Sequence, residues 1–209
     1  MKKGYFITFE GPEGAGKSTI ISLINKHLEQ KGMATTLTRE PGGIEIAEKI
    51  RSVILDKNHT VMDGRTEALL YAAARRQHLV EKIIPSLNNG KVVLCDRFID
   101  SSLAYQGFAR GLGMEEVYSI NKFAIDEYMP DLTIYLDVSP QVGIDRINKD
   151  VNREINRIDL ETIDFHNRVR EGYMRLVKKY KNRIILINAE QNQSSVLTEV
   201  TKLIDAKLN

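Results

Sequence analysis

Apolar positions along the 209-residue chain fall into two alternating kinds of segment. Short runs rich in β-branched and aromatic residues read as strands at Tyr5–Phe9, Thr35–Arg39, Lys91–Asp96, Leu132–Val138 and Ile184–Asn188. Between them, apolar residues recur at helical spacing. Ile20, Ile21, Leu23, Ile24 and Leu28 mark a helix that stops at Gly32, and Ile44–Leu55 marks a second. Leu69, Leu70, Ala73, Leu79, Val80 and Ile83 mark a long one across Asp63–Leu87. Ser101–Tyr128 reads as a loop with one or more helices, an Arg-rich helix-prone stretch separates the last two strands, and a final helix closes the chain. Val92-Val93-Leu94-Cys95 is apolar without interruption, as a central strand buried on both faces would be. The alternation predicts an α/β fold, a five-stranded, mostly parallel sheet with helices on both faces. Ligands of such sheets bind beyond the carboxyl ends of the strands, so residues just after strands carry the chemistry.

The first such stretch is Gly11-Pro12-Glu13-Gly14-Ala15-Gly16-Lys17-Ser18-Thr19, which matches the phosphate-binding pattern G-x-x-x-x-G-K-[ST]. It lies between a predicted strand and a predicted helix, as that motif requires. Its glycines let backbone N–H groups turn toward phosphate oxygens, and the helix points its positive dipole end at the same place. Lys17 would add a full charge near the β- and γ-phosphates, and Ser18 a hydroxyl for Mg²⁺. The expectation is a P-loop NTPase fold with a nucleoside triphosphate site.

Composition narrows the partners. Thirty basic against 28 acidic residues leave a net charge of +2, which is no footprint for nucleic acid. Cys95 is the one cysteine, which excludes an intrachain disulfide and a multi-thiolate zinc cluster; its apolar run marks it as an inert core residue. The start, Met1-Lys2-Lys3 and a short apolar run, resembles a leader, but Glu10 and Pro12 cut the run short and it reads as the first strand. No stretch is long enough to span a bilayer, and the default expectation is the cytoplasm with no membrane partner.

Other candidates stand where strands end. Asp96 closes an apolar strand, the usual position of a carboxylate that helps the Mg²⁺ site, and Arg97 beside it suits a phosphate. Arg39, Arg51 and Arg75 are further cations near the predicted mouth. Tyr71 and Arg75 share a helix face, which could stack on a base and bond its edge, although spacing alone favours a solvated or packed face. Arg146, Arg153 and Arg157 lie among polar neighbours. They read either as a charged lid over about 141–160, with Arg153 and Arg157 one helical turn apart, or as a solvated helix. A GTPase switch is disfavoured because Asn121-Lys122 and Asn148-Lys149 both lack the Asp that would complete N-K-x-D. A nucleic-acid-dependent ATPase is disfavoured by the charge. A small-molecule kinase fits best.

The sequence resembles the bacterial thymidylate kinases, of the P-loop nucleoside monophosphate kinase superfamily, along essentially its whole length. The residues that carry the likeness are Phe9 to Ser18, Thr38-Arg39-Glu40-Pro41-Gly42-Gly43, Ala73-Ala74-Arg75-Arg76, Asp96-Arg97-Phe98 and Asp100-Ser101-Ser102-Leu103-Ala104-Tyr105-Gln106-Gly107. The last block is the most specific. The resemblance implies one nucleoside monophosphate kinase domain over 1–209 that uses ATP and Mg²⁺ to convert dTMP to dTDP, as a homodimer. It implies that Glu13 approaches the deoxyribose 3′-hydroxyl, that Arg39 and Arg97 lie at the monophosphate, and that Arg75 and Gln106 read the thymine edge. Tyr71, often phenylalanine in the family, would stack on the ring, and Tyr105 would crowd a 2′-hydroxyl. Glu40, Arg51 and Ser102 complete the expected substrate side. The family takes its catalytic arginine from the P-loop or from the lid. Gly14 stands here where the first type has a basic residue, so Arg153 and Arg157 are expected to serve with Lys17 and Arg97 as the catalytic cations.

Overall fold

The computed structural model describes residues 4–148 and 156–208. Its elements are β1 (Tyr5–Glu10), α1 (Lys17–Gln30), β2 (Thr35–Arg39), α2 (Glu45–Leu55), α3 (Gly64–His78), α4 (Ile84–Asn88), β3 (Val92–Asp96), α5 (Ile99–Ser102), α6 (Met114–Ile125), β4 (Leu132–Asp137), α7 (Pro140–Asn148), α8 (Ile163–Lys179), β5 (Ile184–Asn188) and α9 (Gln193–Leu208). Two π-helical turns, Leu79–Ile83 and Leu103–Ala109, and a 3₁₀ turn, Arg157–Leu160, complete them.

All described pairings are parallel, in the order β2-β3-β1-β4-β5. Side chains alternate across the strands, and both faces are apolar because both are covered. Ile7, Phe9, Leu94, Ile134 and Leu136 pack against Ile20, Ile24 and Leu28 of α1 and Val196, Val200 and Ile204 of α9. Both helices present residues four apart, one stripe each. Phe6, Val93, Cys95 and Tyr135 face the other way, toward Leu79, Ile83, Leu103, Val117, Val169 and Tyr173. Thr8 and Thr133 sit on that second face, with their hydroxyls 2.8 Å apart, and Thr133 donates to Asp100, which Arg183 also holds at 2.6 and 2.7 Å. These polar groups are buried but fully partnered, which is the condition for tolerating them there.

Two sequence expectations change. The helix expected over 63–87 is divided: α3 ends at His78 and a π-helical turn leads into α4. Pro85 at the start of α4 has no N–H to donate and its ring crowds the preceding turn, so the regular ladder cannot run through. The second concerns the expected lid. Asn156 is extended (φ −112°, ψ 174°) and caps the 3₁₀ turn, with Asp159 bonding back to it, so no helix continues through 156 into Arg157. Arg153 itself lies outside the described residues.

Candidate active site

At the carboxyl ends of β1, β2 and β3 the chain surrounds a cavity of about 1440 Å³. The P-loop forms one part of its wall. Gly16 sits in the left-handed region (φ 84°) and starts α1 with no side-chain cap, leaving the helix's first N–H groups for a ligand. Gly14 is also left-handed (φ 75°), and a Cβ there would lie 2.3 Å from the carbonyl oxygen of Gly143 in α7. Arg146, also on α7, donates to the carbonyls of Gly14 and Ala189. A basic side chain at position 14 is therefore sterically barred.

Lys17 is buried, and its Nζ donates to the carbonyls of Gly11 and Pro12 at 2.9 and 3.0 Å. Burial and then the charge of Arg97 lower its pKa to about 8, against the pull of Asp96, Glu13 and Glu10. Ser18 donates to Asp96 Oδ2 at 3.2 Å. Asp96 Oδ1 is buried with no hydrogen-bond partner. A hydroxyl beside an unsatisfied carboxylate oxygen is a donor set for a hard cation.

Arg97 occupies the centre. Its backbone is left-handed (φ 69°), unusual for a non-glycine residue. The guanidinium donates to Glu13 Oε1 at 2.8 Å, to Ser101 and to the Tyr173 hydroxyl, and lies over the Tyr105 ring. Tyr105 donates to the other oxygen of Glu13 at 2.8 Å. Burial raises the Glu13 carboxyl, but Arg97, Lys17 and the Tyr105 hydroxyl outweigh it and bring the pKa down to about 2. Beneath them, Glu10 accepts from the Phe98 N–H, the Ser101 hydroxyl and the Tyr173 hydroxyl. Burial, followed by repulsion from Asp100, raises its pKa to about 7. Glu10 thus ties the end of β1 to the chain after β3 and to α8.

The remaining wall comes from α2, α3 and the π-helical turn after α5. Glu67, Tyr71 and Arg75 follow one another at four-residue intervals on α3, and Tyr71 and Arg75 line the cavity. Arg75 is buried, donating Nε to Glu40 at 2.7 Å, Nη1 to Ser102 and Asn121, and Nη2 to the Phe98 carbonyl. Glu40 also accepts from His78 at 3.0 Å. Arg39 is exposed and paired with Glu48, and Arg51 donates to the Pro41 carbonyl. Ser102 and Gln106 are buried cavity residues. Cys95 is fully buried, its thiol pushed up by burial, as a core residue's would be.

The structure therefore gathers Glu13, Gly14, Gly16, Lys17, Ser18, Thr19, Arg39, Glu40, Arg51, Tyr71, Arg75, Asp96, Arg97, Ser102, Tyr105 and Gln106 around one space. Gly11, Pro12 and Ala15 belong to the same loop just behind it. Arg157 stands apart: it is buried, donating Nε to the Ile54 carbonyl at 2.9 Å and Nη2 to Glu67. Sequence reasoning missed Glu10, Glu67, Asn121 and Tyr173. Glu67 alone carried a signal, one helical turn before Tyr71.

A parallel sheet, a glycine loop feeding an uncapped helix, and a lysine, hydroxyl and carboxylate at its mouth define a P-loop nucleotide-binding protein. The polar and aromatic wall beside the loop makes room for a second ligand. The thymidylate kinase family model matches residues 9–200. A thymidylate kinase of Clostridium novyi is 62% identical over 200 residues, covering 96% of this chain and 98% of that one. One from Geobacillus thermodenitrificans is 58% identical over 205 residues, covering 98% and 91%. The crystal structure of thymidylate kinase from Ehrlichia chaffeensis superposes with a TM-score of 0.78 at 33% identity, covering 97% of this chain and 99% of that one. The chain belongs to the thymidylate kinase family.

Proposed function

We propose that the chain transfers the γ-phosphoryl group of ATP to the phosphate of dTMP, giving ADP and dTDP, a step in dTTP biosynthesis. One observation carries this reading: a single cavity has a P-loop built for polyphosphate and, in the same wall, an aromatic face with oriented polar groups suited to a base. The triphosphate takes the N–H groups at the start of α1, and Lys17 exchanges the Gly11 and Pro12 carbonyls for phosphate oxygens. Ser18 and Asp96 are the residues that would hold Mg²⁺, which when bound neutralises and aligns phosphate charge.

On the acceptor side, Arg97 and Arg39 meet the monophosphate and Glu13 the 3′-hydroxyl, while Tyr105 crowds the sugar. Tyr71 stacks on the base, whose edge meets Arg75 and Gln106, with Glu40 and Ser102 holding Arg75 and Arg51 flanking. The acceptor phosphate, with a second pKa near 6, is already largely a dianion at neutral pH and needs no general base. The obstacle is the approach of two anions, which Lys17 and Arg97 reduce by neutralisation and alignment. The lid over about 141–160 adds charge through Arg153 first. Arg157 reaches a phosphoryl group only by giving up Glu67.

No helix of the described residues is long and apolar enough to cross a membrane. The homodimer that the resemblance implies belongs to the same proposal. The deciding assay offers ATP, Mg²⁺ and each nucleoside monophosphate in turn and follows ADP release. Turnover with dTMP far above dCMP and the purine monophosphates is expected; no turnover with dTMP overturns the reading.

A further inference from the structure

We propose that Glu67 sets which base the pocket accepts, by fixing the orientation of the Gln106 side-chain amide. The proposal rests on the reading of the cavity as a dTMP site.

Gln106 is buried, and its Nε2 donates to Glu67 Oε1 at 2.8 Å. A free glutamine amide can present either its carbonyl or its amino group to a ligand, because the two ends differ little in shape. An ionised carboxylate removes that freedom: it accepts only, so the amide must turn its NH₂ toward Glu67 and its carbonyl away. Among the described residues no donor reaches Gln106 Oε1, which leaves that oxygen for the cavity Gln106 lines.

The surroundings keep Glu67 ionised. Arg157 Nη2 donates to its Oε2, and Arg110 donates to both oxygens at 3.3 Å. Arg110 is itself held by Glu161 at 2.5 Å. Burial raises the Glu67 carboxyl, but the two arginines and the Gln106 amide hold it below its ordinary value. Glu67 is 1% exposed, so it acts on a ligand through the side chains it holds, and of those that donate to it Gln106 is the one that lines the cavity.

Arg75 supplies the complementary half. Four of its five N–H groups are committed to Glu40, Ser102, Asn121 and Phe98. The remaining one can only donate. The edge presented to a base is thus one acceptor, from Gln106, and one donor, from Arg75. Thymine offers N3–H and O4, which match both. Cytosine offers N3 as acceptor and a 4-amino donor, which oppose both. Glu67 is then a positioning residue for specificity that never touches the nucleotide.

The test is Glu67→Gln, which keeps the shape but can donate to Gln106 Oε1 and so lets the amide turn. Dissociation constants for dTMP and dCMP, with kcat for dTMP, are measured on wild type, Glu67→Gln and Glu67→Asp. The expected result is that the dCMP-to-dTMP ratio of Kd falls by roughly 10-fold or more in Glu67→Gln, within the range set by one mispaired buried group. Glu67→Asp keeps the carboxylate and should retain most of the ratio. A purely structural role would weaken both nucleotides alike, and an unchanged ratio overturns the proposal. Absence of dTMP turnover in the wild type would instead overturn the kinase reading itself. Should Glu67→Gln not fold, the ¹⁵N side-chain amide of wild-type Gln106, assigned by its loss in Gln106→Met, decides. Slow hydrogen exchange with and without dTMP supports the bond to Glu67, and fast exchange in both states refutes it.

Discussion

Substituting Gly14 by alanine separates two costs that a P-loop glycine can carry. At φ 75° any Cβ is strained, by ~1–2 kcal/mol. At this position the Cβ would also lie 2.3 Å from the Gly143 carbonyl oxygen and 2.8 Å from its carbon, well inside ordinary contact, so α7 must move away from the loop. Overpacking of that kind typically costs ~1–3 kcal/mol. Gly16→Ala is the control: its φ of 84° carries the same strain, but a Cβ there meets nothing within 4 Å. At ~2–4 °C per kcal/mol for a protein of this size, Gly14→Ala should melt roughly 2–12 °C below Gly16→Ala, both free of nucleotide. Differential scanning calorimetry of the two variants measures the difference directly. Equal melting temperatures would refute the close approach of α7 to the P-loop, and with it the steric reason that position 14 carries no arginine.

Lys17→Ala should fold normally and lose ~10²–10³ in kcat, measured by ADP release. Arg75→Ala should weaken dTMP binding and leave ATP nearly unchanged in separate titrations, with a cost of roughly 1–3 kcal/mol for an unpaired base edge. Arg153→Ala should lower kcat far more than it raises KM for dTMP, since a supplied arginine can be worth ~10³–10⁵. Arg157→Ala, by contrast, removes one of the two arginines on buried Glu67, with Arg110 remaining, and should cost ~1.5–3 kcal/mol of stability in a denaturant titration. Glu10, raised to about 7 from an ordinary 4.5, binds its proton more tightly folded than unfolded, so its contribution to stability is fully present below about 4.5 and is lost as pH rises to 7. Glu10→Gln should flatten the fall of melting temperature across that window.

Local patterns were legible wherever chemistry is local. The strand limits of β2 and β5, the P-loop and its helix, and the Tyr71–Arg75 face all follow from periodicity and motif. What escaped depends on chain segments that meet only after folding. Glu10 and Tyr173 are 163 residues apart, and nothing near either announces the other. Spacing of four makes Arg157 read as a partner of Arg153 on one helix face. The competing signal was Asn156 with Asp159 three residues on, a capping pair that starts a new turn and swings Arg157 toward Glu67.

The missing side-chain cap at Gly16 also leaves a place where a ligand would add to the stability of the folded chain. A bound polyphosphate would satisfy amide groups that the folded chain leaves open and the unfolded chain cannot assemble. By mass action, ligand at 100 times its Kd adds ~2.7 kcal/mol to the unfolding free energy. The proportion of molecules exposed to proteases through full unfolding would fall by roughly 100-fold under those conditions.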